Sequence, residues 1–363
     1  MRLIKEIFLS LGFLLVAALL CVGAIYIISG GDVRHFILGI ELDQHKEALN
    51  QGLSDDATYL KFIVPAGTSS GEVAQNLVQM GLIKDQDLFL KYARYQGIDT
   101  RIEAGTYFFN KTQSIVDIAE HLTDANSSKL SFRIIEGMRL EEIAEAIDDS
   151  NLPFSGQDFL DVSVSATDLN PNFIRTVGLP EGASLEGFMF PDIYDFPPDV
   201  DPIRFRDTIL TGFMNQLAGK MIEDASAQGF TIYEIVNLAS IIEREALYDD
   251  EHPMISSVYR NRLKIDMLLN ADPTLQYALH GTRDHRWWPV LTLADYQNIQ
   301  SPYNTYLVKG LPPSPIASPG LSAIMAAIYP AESPYYFFQA ECDGSGYHEF
   351  AETYEEHLEN SCP

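Results

Sequence analysis

Positive charge is scarce in this chain: lysine and arginine number 24 against 51 aspartates and glutamates, a formal net charge of −27. A field of that sign repels phosphate backbones and anionic headgroups. Nucleic acid and polybasic membrane-surface binding are therefore excluded as functions, and a neutral or zwitterionic substrate is favoured. Cysteine is limited to three residues, and tryptophan to Trp287 and Trp288. No HExxH, Walker loop or GxGxxG occurs, and the histidines His280, His285 and His348 form no helical ligand pair. No metal and no cofactor are expected. With 46% hydrophobic and 21% charged residues the chain is neither a disordered nor a collagenous polymer. Its 363 residues allow two or three folded units at roughly 150 residues each.

One long apolar run is present. Residues 7–28, IFLSLGFLLVAALLCVGAIYII, carry no charge over 22 residues, which as a helix spans about 33 Å, enough to cross a bilayer core. The run exceeds a signal peptide's apolar core of ~7–15 residues and leads into Ser29, Gly30 and Gly31 without a small-x-small cleavage site. Arg2 and Lys5 precede it, so the positive-inside rule makes residues 1–6 a cytoplasmic flank and 7–28 a single transmembrane helix. Residues 29–57 follow as a juxtamembrane linker, and the rest lies outside the cytoplasm. In that oxidising space Cys342 and Cys362 can pair, a bridge whose loop of about 20 residues contributes on the order of 3 kcal/mol. Spacing alone leaves two free thiols equally open.

A shift of 70 residues superposes the chain on itself. Phe62, Val64, Gly67, Glu72, Val73, Ala74 and Leu77 land on Phe132, Ile134, Gly137, Glu142, Ile143, Ala144 and Ile147. Each copy reads as a short strand, a glycine turn and a helix with apolar residues at steps of three and four. Residues 58–128 therefore form one βα module and 129–200 a second βα unit with a connector. The proline-rich passage at residues 191–198 is expected to break regular structure and mark the boundary with a helix-rich domain, 201–363.

Within that domain, residues 237–246 form a helix that is apolar on one side and ends in Glu243 and Glu245, which point about 160° apart. They cannot share one job. Periodicity favours Glu245 weakly, and a carboxylic acid at the rim of an apolar face is the way a general acid is kept protonated near neutral pH. Asp272, Pro273 and Thr274 read equally as a helix cap or as substrate contacts. Tyr303, Asn304, Thr305 and Tyr306 offer groups suited to binding a sugar, or a turn with a capping asparagine. The tryptophan pair reads as a loop anchored in the core.

These stretches carry a resemblance. LASIIERE at residues 238–245, NRL at 261–263, DPTLQYAL at 272–279, SPYNTY at 301–306, GLPPSPIASPG at 310–320 and GYHEF at 346–350 occur in order. Together they resemble the endolytic murein transglycosylase, or YceG-like, family, as do the amino-terminal run, GTY at 105–107, EGMRL at 136–140 and GFMFPD at 187–192. Ser314, where the family usually has glycine, and Arg244, in place of a common lysine, depart from it. The resemblance implies an α+β fold with a single transmembrane helix, a LysM-like βα module at 58–128 and a helix-rich catalytic domain. It implies cleavage within peptidoglycan glycan strands, between N-acetylmuramic acid and N-acetylglucosamine, to a 1,6-anhydro end, with strand termination as the outcome. Glu245 is then the catalytic residue, and Ser240, Asp272, Thr274, Gln276, Tyr303, Asn304, Thr305 and Tyr306 are substrate contacts. One carboxyl suffices, because the sugar's C6 hydroxyl replaces the water for which ordinary glycosidases need a second. Peptidoglycan strands, cell-wall synthases and the membrane are the expected partners. A non-catalytic peptidoglycan-binding scaffold and a two-carboxylate hydrolase using Glu243 or Asp272 are the alternatives.

Overall fold

The computed structural model describes residues 32–125, 129–165, 167–279 and 287–362. The span expected at residues 7–28 lies outside them; among the described residues no helix is long and apolar enough to cross a membrane. The chain divides into two compact units, the first ending at Lys129 and the second beginning at Leu130. Both are mixtures of helices and short antiparallel strand pairs, a helix-rich α+β architecture.

The first unit runs α1 (Val33–Gln44), α2 (Lys46–Asn50), β1 (Leu60–Val64), α3 (Ser70–Gln79), α4 (Gln86–Tyr95), β2 (Gly105–Phe109) and α5 (Ile115–His121). In β1, Phe62 and Val64 are buried while Lys61 and Ile63 face outward, the alternation of a strand with one covered face. β2 pairs antiparallel with it, Phe62 opposite Tyr107. The chain turns at Gly67, whose φ of 83° is the left-handed region that glycine enters without cost. Ser69 and Glu72 then close a capping box that starts α3. Val73 and Leu77 of that helix meet Phe89 of α4, Phe109 of β2 and Ile118 of α5 in a single core.

The second unit opens with β3 (Leu130–Arg133), α6 (Leu140–Asp148), α7 (Gly156–Ser163), α8 (Pro171–Val177) and β4 (Ile193–Phe196). The proline-rich passage is not the break expected of it. Its prolines flank β4 rather than sit inside it, so no ladder N–H is lost, and β4 pairs antiparallel with β3, Phe132 opposite Tyr194. Phe132, Tyr194 and Phe196 join the same core as Phe205 and Phe213 beyond residue 200. Residues 130–200 are therefore part of the larger unit rather than a connector to it.

The remaining elements are α9 (Pro202–Gln216), α10 (Gly219–Ala227), α11 (Ile232–Glu245), α12 (His252–Lys264), α13 (Asp272–Ala278), α14 (Leu293–Asn298), α15 (Leu321–Ile328), the hairpin β5 (Phe337–Ala340) and β6 (His348–Ala351), and α16 (Tyr354–Glu359). Cys342 and Cys362 are joined, their Cα atoms 5.4 Å apart, which closes the hairpin turn onto the end of α16. α11 corrects the one-sided helix read from periodicity: every residue from Ile232 to Ile242 except Glu234 is buried. Neighbouring helices cover it nearly all round, so small and hydrogen-bonded polar residues such as Ala239, Ser240 and Asn237 occupy the faces that periodicity left open.

A carboxyl lies deep in this core. Glu186 is 1% exposed; it accepts the Leu140 N–H at 3.3 Å and the Tyr277 hydroxyl at 3.3 Å. Burial pushes its pKa up to about 8, with Glu141 adding to the rise and Arg139 opposing it. A raised carboxyl pKa stabilises the fold fully below the unfolded value of 4.5 and loses that contribution as pH rises through about 8. Glu186→Gln keeps an acceptor without a charge. Its melting temperature should exceed the wild type's by several degrees at about pH 9 and match it at about pH 4 in thermal unfolding scans.

Candidate active site

A helix buried on all sides can present polar groups only at its ends. The last turn of α11 carries Glu243, Arg244 and Glu245 in succession. Glu245 turns toward α12, where the hydroxyl of fully buried Tyr259 donates to its Oε1 at 2.5 Å. Tyr259 is itself fixed edge-on against Phe338 of β5, ring centroids 5.7 Å apart. Burial pushes the Glu245 pKa up to about 7, against the Tyr259 hydrogen bond and the Arg262 charge, with Asp272 adding to the rise. Oε2 has no hydrogen-bond partner among the described residues. Glu245 is thus a carboxyl balanced between its two protonation states near neutrality, held by one oxygen and open at the other.

Glu243 reaches a similar pKa, about 7, again chiefly through burial. Its surroundings differ. Its Oε2 accepts the N–H of Gly320 at 2.9 Å, which ties the proline-rich loop at residues 310–320 to the end of α11. Proton affinity alone does not separate the two glutamates; their neighbours do.

Asp272 opens α13, but the cap residue is Ala271, so the capping reading of Asp272 fails. Its carboxylate accepts the Tyr306 hydroxyl at 2.5 Å and the Tyr296 hydroxyl at 3.2 Å instead. Those two rings meet edge-on, 4.6 Å between centroids. Burial raises both phenols, Tyr296 to about 12 and Tyr306 further, which keeps them hydrogen-bond donors at any working pH. Asp272 and Tyr306 both lie within electrostatic reach of Glu245.

Four of the residues expected to touch a sugar have no surface for one. Ser240, Thr274 and Asn304 are 0% exposed and Thr305 1%. Ser240 Oγ donates to the Asn237 carbonyl at 2.7 Å and accepts the Ile316 N–H at 3.0 Å, a second tie to the proline loop. Thr274 donates to the Ala271 carbonyl at 2.7 Å and meets the Thr305 hydroxyl at 2.9 Å, while Thr305 accepts the Ala271 N–H at 2.9 Å. Asn304 donates to the carbonyls of Tyr296 and Ile299 at 3.2 and 2.9 Å and accepts the Tyr306 N–H at 3.0 Å. These groups position Asp272 and Tyr306 rather than face outward. Gln276 donates to the Pro289 carbonyl at 2.9 Å. Tyr303 shares a 2.6 Å hydrogen bond with Ser314, so the serine that stands in place of glycine gains a partner.

Tyr259 and Glu186 escaped sequence reasoning. Tyr259 lies 14 positions beyond Glu245, on another helix, and no local pattern links them. The cavities of about 760 and 660 Å³ lie elsewhere, one in the first unit beside Leu82 and Ile83, the other against Asp201 and Asp207 of the second.

Asn304→Ala strands two buried carbonyls and should cost on the order of 1–3 kcal/mol. Its drop in melting temperature should approach that of truncating Leu238. Tyr306→Phe removes one donor from Asp272 and should leave melting nearly unchanged while lowering turnover. Unfolding scans on both variants check the contrast.

The model of the YceG-like family matches residues 62–362. The chain is 31% identical over 324 residues to an endolytic murein transglycosylase of Bacillus subtilis (strain 168), covering 86% of each chain. An endolytic murein transglycosylase of Streptococcus pneumoniae serotype 2 (strain D39 / NCTC 7466) is 26% identical over 339 residues, covering 87% of this chain and 61% of its own length. Among solved structures, a yceG-like protein from Listeria monocytogenes superposes with a TM-score of 0.54 at 28% identity, over 83% of this chain and 99% of that one.

Proposed function

The chain belongs to the YceG-like family, and from that premise we propose that it is a lytic transglycosylase of peptidoglycan strands in which Glu245 is both acid and base. The observation that carries this is the Glu245 carboxyl, raised to about 7 and held through Oε1 by Tyr259. In the first step Glu245 gives its proton to the glycosidic oxygen as the bond to the anomeric carbon of N-acetylmuramic acid breaks. The carboxylate so formed removes the proton of that sugar's C6 hydroxyl as its oxygen closes onto the anomeric carbon. The products are a free 4-hydroxyl on one side and a 1,6-anhydro end on the other, with the acid restored and no water consumed. A pKa near the working pH suits a group that must give and then take a proton. Asp272, fixed by Tyr306 and Tyr296, supplies negative charge against the oxocarbenium character of the transition state.

Cutting within strands accords with the names of the relatives, and termination of new strands is the outcome in this reading. The strand, helix, helix, strand order across residues 60–109 supports reading 58–128 as a LysM-like module. Residues 7–28, by their length and lack of charge, serve as the membrane anchor in this reading, leaving the catalytic unit outside the cytoplasm, where cell-wall synthases are the neighbours.

Glu245→Gln keeps the shape and removes the proton, so cleavage of purified strands should fall at least a thousandfold with folding intact. Glu243→Gln should be milder. Residual turnover in Glu245→Gln equal to that in Glu243→Gln would return the protein to the scaffold alternative or to another acid. Product mass separates transglycosylation from two-carboxylate hydrolysis, because hydrolysis adds one water.

The pH profile tests the acid itself. The Tyr259 hydroxyl favours the ionised form of Glu245, so Tyr259→Phe raises the carboxyl's pKa. The alkaline limb of kcat/KM should move up by about one pH unit. An unmoved limb would mean that another group sets it.

A further inference from the structure

Arg244 is a cation with no anion paired to it among the described residues. Its guanidinium lies 3.9 Å above the ring of Trp288. On its other side it fills the space left by Gly137, where a Cβ would stand 2.9 Å from Nη1. Its Nε is buried and has no hydrogen-bond partner. Among the described residues no carboxylate lies within ion-pair distance of it, in a chain holding 51 acidic residues. Of the other buried arginines, Arg206 pairs with Asp168 at 2.9 Å and Arg139 with Glu141 at 3.3 Å, while Arg260 and Arg262 donate to neutral oxygens of Gln228 and Tyr336.

The carboxylates nearest to Arg244 in effect are already engaged. Glu142 and Glu243 act on its charge from a distance. Glu142 Oε2 accepts the Trp288 indole N–H at 3.0 Å and the Arg139 N–H at 3.0 Å, and Glu243 accepts from Gly320. Burying an unpaired cation costs free energy unless a partner arrives. The seat that holds it is built by a glycine and an aromatic face, and it adjoins Glu245 in the chain.

We propose that Arg244 receives a carboxylate of the glycan strand's substituents, and so selects muramyl-containing strands over neutral ones. This rests on Glu245 acting on peptidoglycan. A planar guanidinium held on an aromatic face suits two-point recognition of a carboxylate. Two sources of that carboxylate exist. In a stem-bearing strand the lactyl carboxyl is tied up in an amide, so the charge belongs to the peptide. In a strand stripped by an amidase the lactyl carboxylate itself is free. Oligosaccharides of N-acetylglucosamine alone carry neither.

The test measures binding in the Glu245→Gln form, which holds substrate without cutting it, with and without Arg244→Gln. Calorimetric titration uses stem-bearing strands, stripped strands and chitooligosaccharides. Arg244→Gln should weaken binding of one or both carboxylate-bearing strands by about tenfold and leave chitooligosaccharide binding unchanged; whichever strand responds identifies the source. Arg244→Lys should recover part of the loss. No loss on either strand, or an equal loss on chitooligosaccharides, overturns the proposal. Should Arg244→Gln not fold, salt decides in the Glu245→Gln form. The chain's overall negative charge alone makes affinity for an anionic strand rise with salt, whereas a dominant Arg244 pair makes it fall, and a rise overturns the proposal. If Glu245→Gln still cuts strands, the catalytic reading fails while the binding comparison still decides the role of Arg244.

Discussion

Encasing α11 from Ile232 to Ile242 is the constraint on which the active-site region depends. Along the buried length the helix can carry only apolar side chains or polar ones whose partners are built in, as with Asn237 and Ser240, which hold the proline loop. Charge is pushed to the last turn, where packing thins. There Glu243, Arg244 and Glu245 fan outward, and each meets a different element: the start of α15, the ring of Trp288, and Tyr259 of α12. The rigidity of the buried turns fixes the directions of the exposed ones.

The same desolvation that stabilises this core sets its acid chemistry. Glu186, Glu243 and Glu245 all have pKa values raised chiefly by burial. What distinguishes them is their neighbours. Glu186 is sealed among Leu140, Tyr277 and Arg139, Glu243 is tied by a backbone N–H to the proline loop, and Glu245 is held by the Tyr259 hydroxyl beside Asp272. In an acidic protein, carboxyls that remain partly protonated near neutrality also lessen the repulsion among their neighbours.

Local pattern was readable where the determinant was local. Phe62 and Val64 alternate, Ser69 and Glu72 cap, Gly67 and Gly137 turn, and the strand-and-helix copies at a spacing of 70 residues follow from these. The tail of α11 was readable as well, since two residues on a helix cannot face the same way. The failures are tertiary. Whether Asn304 or Thr305 faces solvent depends on α13 and α14 folding over them, and residue type does not report it. β4 was hidden because its prolines announced a break while its partner lay 60 residues upstream. Tyr259 meets Glu245 only because α12 packs on α11.

Gly67 and Gly137 occupy matching places in the two copies and share the same left-handed turn, φ 83° and 77°. Around Gly67 a Cβ would meet nothing within 4 Å, whereas at Gly137 it would strike the Arg244 guanidinium. Two related turns have therefore diverged in what they tolerate. In the first copy, residues such as asparagine that accept positive φ can replace glycine at little expense. In the second, the missing side chain is itself the vacancy into which a neighbour from another helix fits, so any side chain there must move the Arg244 guanidinium from its seat.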